Sequence, residues 1–149
     1  LYFDSLLTKY KSIRIIANSI GAYFALNALS NAQIEKAYFI SPVVDMEKLI
    51  YEMMRWAGVT EDKLKEKESI ETSFGETLSY NYLNWVRQHL FSWNVPTAIL
   101  YGNNDNMQSI DTIMAFANNC GADLTVMENG EHWFHTEEQM KFLDEWISR

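Results

Sequence analysis

The feature that most constrains this chain is a short apolar strand that runs through a serine turn directly into a helix. Residues 13–17 (Ile-Arg-Ile-Ile-Ala) are mostly β-branched and bounded by polar residues, which is typical of a buried strand. Residues 21–29 are rich in alanine and aromatic side chains and indicate a helix packed against a sheet. Ser19 lies between the two, with Ala17 and Gly21 two positions to either side. Such a junction predicts a strained serine whose Oγ stands above the sheet edge.

Two interpretations of Ser19 follow from this motif alone. As a nucleophile it would need small neighbours, because adjacent backbone passes close to the turn, and we expect Ala17 and Gly21 to meet that need. The free N–H groups at the helix N-terminus would then favour a developing negative charge. As a plain N-cap, Ser19 would only satisfy those N–H groups. The strand before it and the helix after it favour the nucleophile.

Further strands and helices continue the alternation along the chain. The predicted strands are 37–40, 97–101 and 124–127, and the predicted helices are 1–10, 110–119 and a last one from 136 onward. Gly121 is placed as a left-handed C-cap, and Thr136 with Gln139 fits a capping box. Strands that alternate with helices predict an α/β fold with a parallel sheet covered on both faces.

Residues 46–93 break this rhythm, with helical patches, a middle rich in acidic residues and lysine, and no strand signal. We interpret them as a small helical cap insertion between two parts of one core, residues 1–45 and 94–149. Its aromatic and methionine side chains are expected to pack the insertion, and some of them to line an apolar pocket. They are Tyr51, Met53, Met54, Trp56, Phe74, Tyr80, Tyr82, Trp85, Phe91 and Trp93.

Two further side chains could complete a catalytic site with Ser19. A serine hydroxyl needs a base to take its proton and an acid to orient that base. Asp105 follows the strand at 97–101, and His132 follows the strand at 124–127. Because the carboxyl ends of parallel strands meet at one sheet edge, we expect the three side chains to converge there.

Other residues compete for these roles. His135 is a rival base, and Asp45, after the second strand, is a weaker candidate for the acid. Asp123 precedes a strand and so lies at the wrong edge, and His89 is expected to be a surface histidine of the insertion. Cys120 lies near a helix C-terminus, where the dipole disfavours a thiolate, and is expected to be inert.

Taken together, the motifs resemble the α/β-hydrolase superfamily. They are Ala17-Asn18-Ser19-Ile20-Gly21, Gly102-x-x-Asp105 and Gly130-x-His132-Trp133-Phe134. The resemblance implies that Ser19 is the nucleophile and that His132 is general base and then acid. It implies that Asp105 orients the histidine and that the Ile20 N–H is one oxyanion-hole donor.

The resemblance covers only the last four strands of a sheet that usually has about eight. It implies a missing N-terminal half of roughly 70–100 residues, judged from usual domain sizes. That half would supply the second oxyanion donor. It, or a homo-oligomer contact, would also cover the strand at 13–17, which is otherwise an exposed apolar edge. A chain that begins with Leu1 fits this interpretation.

Composition narrows the range of partners. The 149 residues carry a formal net charge of −8, which argues against nucleic-acid and anionic-membrane binding. A single cysteine permits no internal disulfide, and no apolar run could span a bilayer, so we expect a cytoplasmic protein. The spacing of His132 and His135 is poor for a metal, and no glycine-rich phosphate loop is present, so no metal and no cofactor are expected.

The predicted function is therefore a serine hydrolase that cleaves a small-molecule carboxylic ester or thioester through an acyl-enzyme. With no lysine or arginine in the catalytic loops, the substrate is expected to be a neutral, apolar ester. The sequence does not separate carboxylesterase, lipase, thioesterase and amidase, since one triad serves them all. The alternative is a non-catalytic protein of the same fold that binds a ligand or a partner.

Overall fold

The structure, a computed structural model, describes residues 2–148. In chain order its elements are α1 (Tyr2–Leu7), β1 (Arg14–Asn18), α2 (Ile20–Ala28), β2 (Lys36–Ile40), α3 (Met46–Ala57), α4 (Glu61–Lys67), β3 (Ser69–Glu71), β4 (Thr77–Ser79), α5 (Tyr80–Gln88), β5 (Thr97–Gly102), α6 (Ile110–Cys120), β6 (Asp123–Met127) and α7 (Glu137–Ile147). They form two compact units. The first contains the residues up to 44 and from 91 onward, and the second contains residues 45–90.

The first unit is built on a parallel sheet of four strands in the order β1-β2-β5-β6. Asn18 lies beside Ile40, Ile40 beside Leu100, and Gly102 beside Met127. The carboxyl ends of β1 and β2 are therefore level with each other, and those of β5 and β6 extend two residues further at the same edge. The predicted α/β fold with four parallel strands is confirmed.

Helices pack against both faces of this sheet. On one face α2 and α6 contribute Leu26 and Ile113 to a core that includes Phe39 and Ile99. On the other face α7 contributes Trp146 to a second core that includes Ile40 and Leu100. Strand β5 is buried along its whole length because it has a neighbouring strand on each side and a core on each face. This explains its continuous apolar sequence.

Local signals fixed several helix ends as predicted. Gly121 ends α6 in the left-handed conformation, with a φ of 67°. Thr136 caps α7 by accepting a hydrogen bond from the Gln139 N–H at 3.3 Å. The first helix is shorter than predicted: it ends at Leu7 and not at Tyr10. Leu1, where the predicted helix begins, lies outside the described residues.

The second unit combines α3, α4 and α5 with a two-stranded antiparallel hairpin of β3 and β4. The expectation that this stretch has no strand was therefore wrong. Ser69 pairs with Ser79 and Glu71 with Thr77, and the hairpin turn contains Gly75 with a φ of 90°. Each strand has only three residues, too few for alternation of polar and apolar side chains to be distinctive.

Two aromatic residues assigned to the insertion belong instead to the first unit. Trp93 lies in the core beside Phe39, with ring centroids 5.7 Å apart, and donates from Nε1 to the Thr97 hydroxyl at 2.8 Å. Phe91 packs against the same core. The second unit therefore ends at residue 90, before the predicted boundary at 93.

Candidate active site

Ser19 occupies a sharp turn between β1 and α2. Its φ is 51° and its ψ is −124°, a conformation that costs a non-glycine residue about 1–3 kcal/mol. Two hydrogen bonds hold it there: the Ser19 N–H donates to the Ile40 carbonyl at 3.0 Å, and the Val43 N–H donates to the Ser19 carbonyl at 3.0 Å. The last residue of β2 and the segment that follows it thus hold the turn in place, a role that their sequence does not indicate.

The close approach expected at position 21 is not found in the described residues. Apart from α2 itself and the adjacent residues, no atom lies within 4 Å of a Cβ added to Gly21. Ala17, by contrast, does pack against the core of the first unit.

His132 joins the three candidate residues into one hydrogen-bonded series. Its Nε2 lies 2.8 Å from the Ser19 Oγ, and its Nδ1 lies 2.8 Å from the Asp105 Oδ2. The side chains of His132 and Asp105 are 5% and 1% exposed. Because an ionised carboxylate can only accept, we assign the proton to Nδ1, which leaves Nε2 to accept from the serine hydroxyl.

Asp105 is itself held by its own loop. Its Oδ1 accepts a hydrogen bond from the Met107 N–H at 2.8 Å, which leaves Oδ2 directed at the histidine. The end of the loop is anchored by Tyr101, whose hydroxyl donates to the Gln108 carbonyl at 2.8 Å. Burial, and secondarily the nearby Asp105 charge, raises the pKa of Tyr101 to about 12, so this donor stays protonated. These two hydrogen bonds fix the orientation of the Asp105 carboxylate and the path of its loop.

The close backbone approach in this site is between Gly102 and Gly130. A Cβ added to Gly102 would lie 2.3 Å from the carbonyl carbon and oxygen of Gly130. Such contacts do not occur between non-bonded atoms, so glycine is required where β5 meets the loop that carries His132. The sequence shows both glycines, but not that they touch across 28 positions.

The rival residues lie elsewhere. His135 is 63% exposed, and its Nδ1 is 3.3 Å from a Glu131 carboxylate oxygen. Asp45 caps α3 in the second unit by accepting from the Lys48 N–H at 3.0 Å. Asp123 is the first residue of β6, at the opposite edge of the sheet.

His89 and Cys120 also lie outside this series of hydrogen bonds. His89 is exposed in the second unit, where its ring stacks on Trp85 with the centroids 4.2 Å apart. Burial raises the pKa of the Cys120 thiol, which disfavours the nucleophilic thiolate.

Ile20, the predicted oxyanion donor, is the first residue of α2. The N–H groups in the first turn of a helix have no acceptor within the helix and point toward its N-terminal end. The Ile20 N–H directly follows Ser19 at this end of α2.

Within residues 2–148, no group of three or more histidine, cysteine, aspartate and glutamate side chains is arranged to hold a metal ion. Over the same residues, no helix has both the length and the apolar character needed to cross a bilayer.

The sequence matches no protein-family model and no curated protein sequence. Solved structures of hydrolases, however, share its fold. Est1E from Butyrivibrio proteoclasticus has a TM-score of 0.66 and 16% identity, over 93% of this chain and 62% of that one. The mouse alpha/beta hydrolase domain-containing protein 10 has a TM-score of 0.69 and 13% identity, over 98% and 68%. The esterase Pf2001 from Pyrococcus furiosus has a TM-score of 0.57 and 20% identity, over 95% and 51%.

At these identities the likeness shows the fold, which is that of the α/β hydrolases, and the predicted resemblance is confirmed at that level. The chain spans 62% of Est1E and 51% of Pf2001, so it corresponds to part of each. A second structure of Est1E has ferulic acid bound.

Proposed function

We propose that this chain carries the catalytic centre of a serine hydrolase that cleaves a carboxylic ester or thioester through an acyl-enzyme. The observation that carries the proposal is the unbroken series Asp105–His132–Ser19, with a distance of 2.8 Å at each link. A helix N-cap serine needs no buried histidine, and a structural histidine needs no serine held in a strained turn. The three residues together have the geometry that activates a nucleophile.

In the acylation step, His132 Nε2 takes the proton from the Ser19 Oγ as that oxygen attacks the carbonyl carbon of the substrate. The carbonyl oxygen becomes negatively charged and accepts a hydrogen bond from the Ile20 N–H. Asp105 accepts from Nδ1 and stabilises the imidazolium that forms. His132 then gives its proton to the leaving alcohol or thiol, the bond from the carbonyl carbon to the leaving group breaks, and the acyl group remains on Ser19.

Deacylation repeats the step with water. His132 takes a proton from the water as its oxygen attacks the acyl carbon, and then returns a proton to Ser19 as the carboxylic acid leaves. The small exposed fraction of His132, 5%, keeps its hydrogen bonds to Asp105 and Ser19 from competing with bulk water.

The surface beside the site supports a neutral, apolar substrate. Trp133 is 67% exposed, and its ring meets the His132 ring edge-on with the centroids 5.4 Å apart. The next residue, Phe134, is buried with a φ of 33°, so the strained backbone turns Phe134 inward and leaves Trp133 outside. Because His132 must reach the leaving group, an exposed indole beside it favours an apolar or aromatic leaving group.

Charge supports the same conclusion. Residues 102–109 and 128–136 contain no lysine or arginine, but they include Glu128 and Glu131. A carboxylate on the substrate would find no cation in these loops and would be repelled by the two glutamates.

Ferulic acid, bound by the structural neighbour Est1E, is an aromatic acid. Aryl and cinnamoyl esters therefore belong in the first substrate panel.

The proposal is tested by comparing His132→Ala with His135→Ala, which removes the exposed histidine three residues away. With p-nitrophenyl acetate as substrate, we expect His132→Ala to lower kcat/KM by a factor on the order of 10⁴. His135→Ala should stay within a fewfold of the unmodified protein. Equal activity of the two variants would contradict the proposal.

A further inference from the structure

Two loops carry the acid and the base of the proposed site, and they are joined to each other. We call residues 103–108 the acid loop and residues 128–136 the histidine loop. The Asn103 N–H donates at 3.1 Å to the carbonyl of Met127, the last residue of β6 before the histidine loop. Within the histidine loop, the Gly130 carbonyl accepts a hydrogen bond from the Asn104 N–H at 2.9 Å. The Asn129 N–H donates to the side-chain Oδ1 of Asn103 at 2.7 Å.

These three hydrogen bonds differ in what they require of the sequence. The first two use backbone groups that any residue except proline provides. The third needs a side-chain acceptor of the right length at position 103. Asn103 is exposed and is not part of the core. Packing therefore does not determine which side chain is needed at this position, whereas the hydrogen bond to Asn129 does.

The contact falls where the histidine loop is under strain. Asn129 has a φ of 58°, in the left-handed region, and is followed by Gly130, whose N–H donates to the Met127 carbonyl at 3.2 Å. This tight turn sets the path of the chain to His132, three residues after Asn129. A bond from the Asn129 N–H to the acid loop fixes the turn relative to Asp105.

We propose that Asn103 is a positioning residue: by accepting the Asn129 N–H, its side-chain amide holds the histidine loop against the acid loop. It thereby keeps His132 within hydrogen-bonding distance of both Asp105 and Ser19. This inference rests on the proposed hydrolase function for its catalytic consequence, but the link between the loops is a structural statement of its own. Without the amide, the two backbone bonds and the packing of Gly102 on Gly130 remain, so the loops separate only part of the time.

The test uses three variants of the whole protein. Asn103→Ala removes the acceptor, Asn103→Asp keeps an acceptor oxygen of the same reach, and Asn104→Ala is the matched control, since Asn104 contributes a backbone N–H that alanine retains. With p-nitrophenyl acetate, we expect Asn103→Ala to lower kcat about tenfold with KM within about twofold. Asn103→Asp should recover most of that loss, and Asn104→Ala should match the unmodified protein. Equal kcat values for Asn103→Ala and Asn104→Ala would overturn the inference.

A second readout does not depend on catalysis. The proton on His132 Nδ1, shared with Asp105, is expected to give a low-field ¹H NMR resonance that is protected from exchange with water. That resonance should persist in Asn104→Ala and Asn103→Asp and broaden in Asn103→Ala. This pattern in a protein that hydrolyses no ester would support the positioning role while the proposed function fails. A resonance equally sharp in Asn103→Ala and Asn104→Ala would overturn the positioning role whatever the activity.

Discussion

Replacing Gly102 by alanine probes the contact on which the geometry of the site depends. The added Cβ would lie 2.3 Å from the carbonyl carbon and oxygen of Gly130 and 2.9 Å from the Glu131 nitrogen. All three atoms belong to the backbone, so no side chain can rotate to make room. Either β5 or the histidine loop has to move.

The size of the effect follows from these distances. Restoring an ordinary carbon contact of about 3.5 Å requires a shift of roughly 1 Å. Overpacking of this kind costs about 1–3 kcal/mol, and we expect the upper end because the backbone itself must yield. A displacement of that size near a catalytic group lowers the rate on the order of 100-fold. The 2.8 Å contacts of His132 with Ser19 and Asp105 cannot both survive it.

The assay compares Gly102→Ala with Gly21→Ala in urea denaturation and in ester hydrolysis. A Cβ at Gly21 would meet no described atom within 4 Å, and in a helix alanine is favoured over glycine by up to about 1 kcal/mol. We therefore expect Gly21→Ala to be as stable as the unmodified protein or more so, and Gly102→Ala to be less stable and far less active. Gly102→Ala with unchanged stability and activity would refute the reasoning, and so would equal damage from both variants.

Two other predictions concern the substrate and the second unit. Trp133→Ala should raise KM for an aryl ester about fivefold relative to that for ethyl acetate, since an aromatic contact contributes about 1 kcal/mol; an equal change for both esters would contradict the assigned role. In the second unit, hydrogen bonds from Arg87, and then from Tyr51, hold the pKa of Glu61 at about 2, below its ordinary 4.5. Its stabilisation is therefore present above pH 4.5 and lost as the pH falls toward 2. The side chain is 35% exposed, so solvent screening limits the effect to about 1 kcal/mol. The gap in urea midpoint between Glu61→Gln and the unmodified protein should therefore be smaller at pH 3 than at pH 7. The exposed Glu66→Gln is the matched control and should match the unmodified protein at both pH values. A gap for Glu61→Gln that does not depend on pH would contradict this.

The sequence was most informative where its signals are local. The β-branched run of β1, the glycine after α6 and the cap at Thr136 each act within a few residues. Parallel strands then place their carboxyl ends together. That rule was enough to predict that residues after β1, β5 and β6 converge, as Ser19, Asp105 and His132 do.

Local signals do not show which residues far apart in the sequence come into contact. The motif around Ser19 drew attention to Gly21, whereas the close approach is between Gly102 and Gly130. The sequence does not single out Asn103, because its partner Asn129 lies 26 residues away. Phe91 was placed in the insertion because residues 46–93 as a whole break the alternation of strands and helices, whereas its side chain packs against the core of the first unit.

The hairpin of β3 and β4 was missed for a different reason. Its strands, Ser69–Glu71 and Thr77–Ser79, each contain one apolar residue between polar ones. The signal that could have found them is the short loop between them, which contains Gly75 with a positive φ.

The most direct test of the central claim is to treat the natural protein that contains these residues with a fluorophosphonate and to locate the modified residue by mass spectrometry. If His132 activates Ser19, the label should be found on Ser19, and His132→Ala should abolish it while His135→Ala retains it. A folded protein that takes up no label, or takes it up on another residue, would contradict the account.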